Sequence, residues 1–275
     1  MNNLTQRIIT GSLFVAALVF CILWNSYSIG IVFFVCLLIG SLELTKLLNN
    51  GEPNKIASLS KIIVLGNAYV LSFLILRESI EIKWIFILIP LITLFFVYDL
   101  FTTKTNSFRN LNEILFGLLY VFIPFMSLNI LGTSEKFATK VEVTNSQHIL
   151  LGFFVILWTS DSMAYVTGKL IGKNKIAPAI SPGKTWEGVI GGFAFSLVAA
   201  FLISYFTESS LYLWLGMAAI ISSFGFIGDL SESMLKRKAG LKDSGNLLPG
   251  HGGILDRFDG IVFSAPLVMC YLFWI

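Results

Sequence analysis

Long apolar runs recur along the whole of this 275-residue chain, and they leave few folds open to it. Hydrophobic residues make up 56% of the sequence and charged residues only 13%, against roughly a quarter in soluble domains. Because lipid cannot hydrogen-bond to backbone groups, a segment that crosses the ~30 Å hydrocarbon core must be a helix or part of a closed barrel. The runs are continuous rather than alternating, so the sequence predicts an all-α, polytopic membrane helical bundle.

Charges, glycines and prolines divide the chain into about nine candidate transmembrane helices. In chain order they lie near residues 8–24, 29–48, 60–77, 82–101, 113–131, 148–168, 188–206, 211–230 and 260–275. The last of these is short and is expected to start as early as Ile254. The first lacks the small-x-small pattern of a signal-peptide cleavage site and is expected to be retained.

Basic residues divide unevenly between the two ends of the predicted spans. Fifteen of the 19 Lys and Arg residues fall before the first span or in the connections after the even-numbered ones. Because basic residues concentrate in cytoplasmic loops, the N-terminus is predicted to be cytoplasmic. The same count places the polar loops 169–187 and 231–259 on the cytoplasmic side, where nucleotides are available.

The longest markedly polar run extends from Gly228 to Asp259 and mixes acids, bases and glycines. Its acids are Asp229, Glu232, Asp243, Asp256 and Asp259, and its bases are Lys236, Arg237, Lys238, Lys242 and Arg257. Such a mixture suits a multivalent anion and its metal. Glycines at 250, 252 and 253 flank His251, and glycine lets backbone amides approach a ligand closely. The run therefore predicts a phosphate-handling site.

Three further polar residues, outside the long polar run, stand out in the apolar C-terminal half. Asp161 lies inside the sixth span, where a carboxylate is costly unless it is paired, hydrated or bound to a metal. A structural role in holding the bundle together remains the alternative. Ser181 and Lys184 precede the seventh span, whose first amides can help to hold a phosphate. Their Gly-Lys-Thr fragment is not a P-loop, because Pro178 replaces the first glycine and no strand is predicted before it.

The acids of the polar run have the chemistry of magnesium ligands. Asp256 and Asp259 are three residues apart and share a face if the last helix starts there, and Asp229 is expected to end the eighth span. Mg²⁺ commonly takes one or two carboxylates and completes its shell with phosphates and water. Zinc is poorly supported, since His251 is the one softer ligand nearby, and an interfacial charge network is the alternative.

Other charged residues have plainer interpretations. Glu43 lies near the cytoplasmic end of the second span and is interpreted as an interfacial carboxylate that reaches water or a lysine. Lys169, Lys173 and Lys175 are interpreted as topology determinants that attract anionic lipid.

The segment from Ser233 to Asp259 resembles the signature of the phosphatidate cytidylyltransferases, or CDP-diacylglycerol synthases. The segments from Asp161 to Lys173 and from Ser181 to Gly192 are also similar to that family, whereas the first half resembles it only as apolar helices. Ser162-Met163 departs from the Thr-Gly type of pair expected after Asp161. The resemblance implies a scaffold of lipid-facing helices over residues 1–131 and a catalytic region over residues 148–275.

The implied reaction transfers the cytidylyl group of CTP to phosphatidate and releases pyrophosphate, a step of phospholipid biosynthesis. A phosphate monoester has a second pKa near ~6 and is already an anion at neutral pH, so no general base is required. We expect Asp229 and Asp256 to bind the metal, Asp259 to bind or support it, and Asp161 to join the metal or hydrogen-bond substrate. The candidate phosphate-binding groups are Lys184, Lys236, Arg237, Arg257, Ser181, His251 and the backbone of Gly250, Gly252 and Gly253. The expected cofactor is Mg²⁺, with a second cation left open.

Two other functions remain open at this stage. A CTP-dependent lipid-alcohol kinase would transfer the γ-phosphate and release CDP, and an ion-coupled transporter would use acids inside helices as an ion path. The expected partners are phosphatidate, CTP and membrane lipid, without nucleic acid, and a homodimer is compatible with the sequence. The expected location is the bacterial inner membrane, with the active site on the cytoplasmic side.

Overall fold

The computed structural model describes residues 3–51, 55–102, 109–247, 250 and 252–275. Within these ranges the chain is a helical bundle with one small sheet. The helices are α1 (Asn3–Trp24), α2 (Ser26–Leu48), α3 (Lys55–Leu76), α4 (Leu88–Thr102), α5 (Arg109–Gly117), α6 (Ile123–Thr133), α7 (Glu135–Lys140), α8 (Ser146–Ile171), α9 (Trp186–Thr207), α10 (Leu211–Lys238), α11 (Leu255–Phe258) and α12 (Ile261–Trp274). A 3-10 helix, Ile82–Ile87, precedes α4, and a π-helical segment, Leu118–Phe122, joins α5 to α6.

Six helical segments of the described residues are long and apolar enough to cross a membrane. They are Ser26–Leu48, Ser58–Leu76, Leu111–Thr133, Ser146–Ile171, Trp186–Thr207 and Leu211–Lys238. Three shorter apolar helices, Ile9–Trp24, Ile82–Tyr98 and Ile261–Trp274, lie where the first, fourth and ninth spans were predicted. The chain is thus an integral membrane protein with a helical bundle, while nine spans and a cytoplasmic N-terminus stay predictions.

Helix α10 is longer than the sequence analysis predicted. Its span was expected to end near residue 230 with Asp229 in the last turn, but the helix continues to Lys238. The extension is rich in residues of high helix propensity, and its basic last turn complements the negative end of the helix dipole. Lys236 and Arg237 therefore project from a helix rather than from the predicted loop 231–259.

The predicted loop 169–187 contains a β-hairpin that the all-α prediction missed. Strand β1 (Lys175–Ala177) pairs antiparallel with β2 (Ser181–Thr185), with Lys175 opposite Thr185. The expectation that no strand precedes the Gly-Lys-Thr fragment was wrong, but the fragment lies within β2 itself and so is still not a P-loop. Helix α9 follows directly, and the Thr185 hydroxyl caps it by accepting the Gly188 N–H at 3.2 Å.

Close backbone packing brings the C-terminal helices together around one region. A Cβ added to Gly188 of α9 would lie 2.7 Å from the Ala164 carbonyl of α8, and one added to Gly192 would lie 2.6 Å from the Ser160 carbonyl. Phe258 of α11 is buried, and its ring centroid lies 5.1 Å from that of Phe125 in α6. These contacts hold α9 closely against α8 and α11 against α6.

Candidate active site

A cavity of about 1220 Å³ opens between α1, α8, the β-hairpin, α9, α10 and α11. Its charged lining residues are Asp161, Asp229, Asp256, Asp259, Lys169, Lys175, Lys184 and Arg257. Apolar lining comes from Phe14, Trp158 and Phe226. A cavity with balanced charges and apolar helix faces suits a ligand with a multivalent polar head and an apolar body.

Lys184, predicted to bind phosphate, and Asp229, predicted to bind the metal, meet in this cavity. The Lys184 ammonium lies 2.6 Å from Asp229 Oδ2, and these side chains are 19% and 38% exposed. The same ammonium lies 5.0 Å from the centroid of the Phe226 ring, a cation–π contact. Strand β2 thus holds a cation against the middle of α10.

Asp161 lines the same cavity from α8. Among the described residues none donates a hydrogen bond to its carboxylate. A carboxylate inside an apolar helix is costly unless water, a cation or a ligand solvates it. Its position therefore agrees with a role toward a ligand better than with a helix-to-helix hydrogen bond.

Asp256 has four hydrogen-bond donors inside the protein. Its Oδ1 lies 2.6 Å from Lys236 Nζ, and its Oδ2 accepts from the Ser244 N–H, the Ser244 hydroxyl and the Gly253 N–H, each at 2.8 Å. Burial raises the pKa of the Asp256 carboxyl, but the hydrogen bonds and the Lys236 charge outweigh it and bring the pKa below its usual range. A metal bound by Asp256, the role predicted for it, would share Oδ1 with the Lys236 ammonium.

Three of the predicted phosphate-binding side chains do not line the cavity. Lys236 turns inward, where its ammonium contacts Asp256 and lies 3.3 Å from the fully buried Glu232. Arg237 donates to the carbonyls of Ile180 and Leu241 at 3.3 Å each and so ties the hairpin turn to the end of α10. Ser181 begins β2 outside the cavity lining.

The glycines near the end of the polar run are explained by backbone conformation and close packing, whereas the sequence predicted that their amides contact phosphate. Gly250 and Gly252 adopt φ values of +78° and +83°, which only glycine tolerates easily. A Cβ at Gly252 would lie 2.5 Å from Asp256 Oδ2, and one at Gly253 would collide with Glu43. The Gly253 amide donates to Asp256 rather than facing a phosphate. His251 lies outside the described residues.

Glu43 is the main residue that sequence reasoning missed. Its side chain comes from α2, is 8% exposed and accepts hydrogen bonds from the Ile254 N–H at 3.0 Å and the Leu255 N–H at 2.8 Å. The Ser244 hydroxyl also lies 3.1 Å from it. The interfacial interpretation was therefore wrong. Its position in an otherwise apolar span was a signal, but its partners were not visible in the local sequence. Lys169 and Lys175 also line the cavity rather than serving topology alone.

The donor chemistry of the cavity fits a magnesium ion. Among the described residues, no group of three or more His, Cys, Asp or Glu side chains could hold a metal by itself. Mg²⁺ does not require such a cage, because water and substrate phosphates complete its shell. Burial, followed by the charges of Asp229, Glu232 and Asp161, raises the pKa of the Asp259 carboxyl well above its usual range. A nearby divalent cation would offset this crowding of negative charge.

The model of the cytidylyltransferase family matches residues 5–275. The phosphatidate cytidylyltransferases of Staphylococcus aureus (strain COL) and Staphylococcus haemolyticus are 42% and 41% identical to this chain over 173 residues, and that of Haemophilus influenzae is 43% identical over 183 residues. Each match covers 62% of this chain and 62% of the relative, less than two thirds of its length. The resemblance of this chain to the phosphatidate cytidylyltransferases is thereby confirmed.

Proposed function

The chain belongs to the cytidylyltransferase family, and from that premise we propose that it transfers the cytidylyl group of CTP to phosphatidate, giving CDP-diacylglycerol and pyrophosphate. The relatives that carry this activity in their names support the choice of substrates. The observation that carries the proposal is the cavity in which the Lys184–Asp229 pair, Asp161 and Asp259 meet beside apolar helix faces. A charged headgroup, its acyl chains and a nucleotide triphosphate have complementary surfaces there.

The reaction joins two anions, and the cavity supplies the charges that this requires. An oxygen of the lipid phosphate attacks the α-phosphorus of CTP, and the bond from that phosphorus to the bridging oxygen of the β-phosphate breaks. The attacking oxygen needs no deprotonation, so catalysis consists of charge neutralisation and alignment. Lys184, Arg257 and the two lysines Lys169 and Lys175 are the cations in the lining that would hold the phosphates.

Asp229 and Asp259 would hold Mg²⁺, with Asp161 beside them toward the metal or the substrate, and a second cation stays open. Asp256, expected as a ligand from the sequence, would join through Oδ1, the oxygen that also contacts Lys236. When bound, the metal would neutralise charge on the transferring phosphoryl group. Lys184 is held next to Asp229 by β2, so it is placed to contact a phosphate that approaches that carboxylate.

We place the cavity mouth on the cytoplasmic side of a bacterial inner membrane. Support comes from the bias of basic residues, since Lys169 and Lys175 of the lining belong to the loop that the charge count assigns to the cytoplasm. CTP would enter from that side, and the acyl chains of phosphatidate would remain against the apolar residues Phe14 and Trp158.

The direct test incubates detergent-purified protein with phosphatidate, CTP and Mg²⁺ and measures pyrophosphate together with CDP-diacylglycerol. Equal amounts of both products are expected. Release of CDP with a phosphorylated lipid alcohol would instead indicate the kinase, and ion-driven uptake into vesicles without nucleotide turnover would indicate the transporter. Either result would overturn the proposal.

A further inference from the structure

We propose that Glu43, in the N-terminal half of the chain, is a positioning residue for this reaction. It holds the glycine loop, defined here as residues 239–254 without the undescribed 248, 249 and 251, and through that loop it sets Asp256 and Arg257 at the cavity. The kinetic part of this proposal rests on the proposed function. The structural part does not.

The Glu43 carboxylate makes three contacts that lead to one short segment. Oε1 accepts the Ile254 N–H at 3.0 Å, and Oε2 accepts the Leu255 N–H at 2.8 Å. Oε2 also lies 3.1 Å from the Ser244 hydroxyl. The two amides precede or begin α11, whose next residues, Asp256 and Arg257, line the cavity. Glu43 therefore holds the backbone directly before two residues that face the ligand.

Ser244 connects Glu43 to Asp256. Its fully buried hydroxyl lies 3.1 Å from Glu43 Oε2 and 2.8 Å from Asp256 Oδ2, and its N–H donates to Asp256 at 2.8 Å. A hydroxyl has a single hydrogen, so the two carboxylates share it. Lys236, 2.6 Å from Asp256, supplies a compensating positive charge. The two acids and Ser244 form one network, in which a shift of Glu43 is transmitted to Asp256.

The shape of the loop gives independent support. A Cβ at Gly245 or at Gly253 would collide with the Glu43 carboxylate, and at Gly253 it would also collide with the Ser244 hydroxyl. Two glycines at separate positions in the loop are thus packed against the same carboxylate. The loop is built around Glu43, which explains glycine at these positions without a ligand.

The other end of the short helix is held by packing. Phe258 is 2% exposed, with its ring centroid 5.1 Å from that of Phe125. Asp256 and Arg257 therefore stand between a polar anchor at Glu43 and an apolar anchor at Phe258. Because displacements of about 1 Å from the aligned geometry can cost ~10²-fold in rate, loss of either anchor affects the chemical step.

Glu43→Gln tests this arrangement with little change in volume. The amide places an NH₂ donor where three donors now converge, so at least one of them loses its acceptor. We expect kcat to fall at least ~10-fold while the KM for CTP changes less than ~3-fold, because the substrate-binding lysines of the hairpin are untouched.

Glu113→Gln is the matched control. Glu113 is also a buried carboxylate of the N-terminal half, and it lies 3.1 Å from Lys61 rather than against the glycine loop. We expect this variant to unfold at lower temperature and to keep the kcat of the unchanged protein. Equal kcat values for the two variants, whether lowered or not, would overturn the positioning role.

A second readout does not depend on activity. Lys242 is exposed in the glycine loop, two residues before the buried Ser244. We expect a lysine-specific protease to cut after Lys242 at least ~5-fold faster in Glu43→Gln than in Glu113→Gln, as measured by mass spectrometry of the C-terminal fragment. Equal cleavage rates would contradict the contact between Glu43 and the loop. A protein that makes no pyrophosphate would defeat the proposed function, while this comparison would still decide the structural role.

Discussion

The Lys184 ammonium lies 2.6 Å from Asp229 Oδ2, so a residue of strand β2 and a residue of α10 form an ion pair at the cavity. The whole of α9 and most of α10 separate Lys184 from Asp229 along the chain. The β-hairpin places Lys184 against α10. Neither side chain is fully buried. A pair that is partly open to a cavity can exchange its partner for a phosphate or a metal at moderate cost.

Lys184→Met is expected to lower kcat/KM by ~10²- to 10³-fold, in the range found when one group that stabilises transition-state charge is removed. The unfolding temperature should change little, because Asp229 is 38% exposed and remains hydrated. Lys173→Met is the control, since Lys173 belongs to the same basic loop but does not line the cavity. Pyrophosphate release is the measurement. An equal fall in kcat/KM in both variants would show that the reaction depends on the total positive charge of the loop and not on Lys184 itself.

Lys236→Met is expected to destabilise the protein rather than to weaken CTP binding. Its ammonium is the cation beside Asp256 and the fully buried Glu232, and removing one partner of a buried pair costs about 3–5 kcal/mol. Arg237→Met, at the neighbouring exposed position, should change stability by less than ~1 kcal/mol. Thermal unfolding in detergent compares the two. A raised KM for CTP with an unchanged unfolding temperature in Lys236→Met would restore the phosphate-binding role predicted from the sequence.

Gly192→Ala is expected to push α9 away from α8. The added Cβ would lie 2.6 Å from the Ser160 carbonyl, a backbone atom of α8 next to Asp161. Overpacking of this kind costs about 1–3 kcal/mol, and the shift of Asp161 should lower kcat as well. Gly66→Ala in α3 is the control, because its Cβ would meet Leu38 at an ordinary distance of 3.4 Å. Thermal unfolding and pyrophosphate release in both variants give the comparison, and full activity in Gly192→Ala would argue against a need for close α8–α9 packing.

The helices and the acidic cavity could be predicted because their signals are local. Apolar runs indicate spans directly, and Asp161 is conspicuous inside one of them. The hairpin could not be predicted, since its strands have three and five residues and show no usable alternation. Its fold decides that Lys175 faces the cavity, whereas Lys169 does so from the last turn of α8.

The role of Glu43 could not be predicted for a different reason. Its hydrogen-bond partners are 201 to 212 residues away along the chain, so they become visible only when α2 packs beside α11. The directions of the Lys236 and Asp256 side chains could not be predicted for a similar reason. Their charges are plain in the sequence, but their direction depends on the unexpected continuation of α10. Local patterns gave the chemistry of the site, and tertiary packing decides which charges face the ligand.

The separate roles of Asp259 and Asp256 lead to the last prediction. Asp259 has the carboxylates Asp229, Glu232 and Asp161 as neighbours, whereas Asp256 is held by four donors of the protein. Asp259→Asn should therefore raise the Mg²⁺ concentration for half-maximal pyrophosphate release at least ~10-fold. In the absence of Mg²⁺ it should leave the unfolding temperature unchanged or raise it, because one of the crowded charges is gone.

Asp256→Asn should behave in the opposite way. It removes the negative charge beside Lys236 and replaces one acceptor oxygen of the carboxylate with an NH₂ donor. The unfolding temperature and kcat should therefore fall while the Mg²⁺ requirement changes less than ~3-fold. Asp243→Asn, an exposed position of the glycine loop, serves as the control and should match the unchanged protein. The Mg²⁺-induced rise in unfolding temperature without substrate gives a readout that does not depend on turnover. If Asp256→Asn abolished that rise and Asp259→Asn preserved it, the ligand would be Asp256, which would bind the metal through Oδ1 beside Lys236.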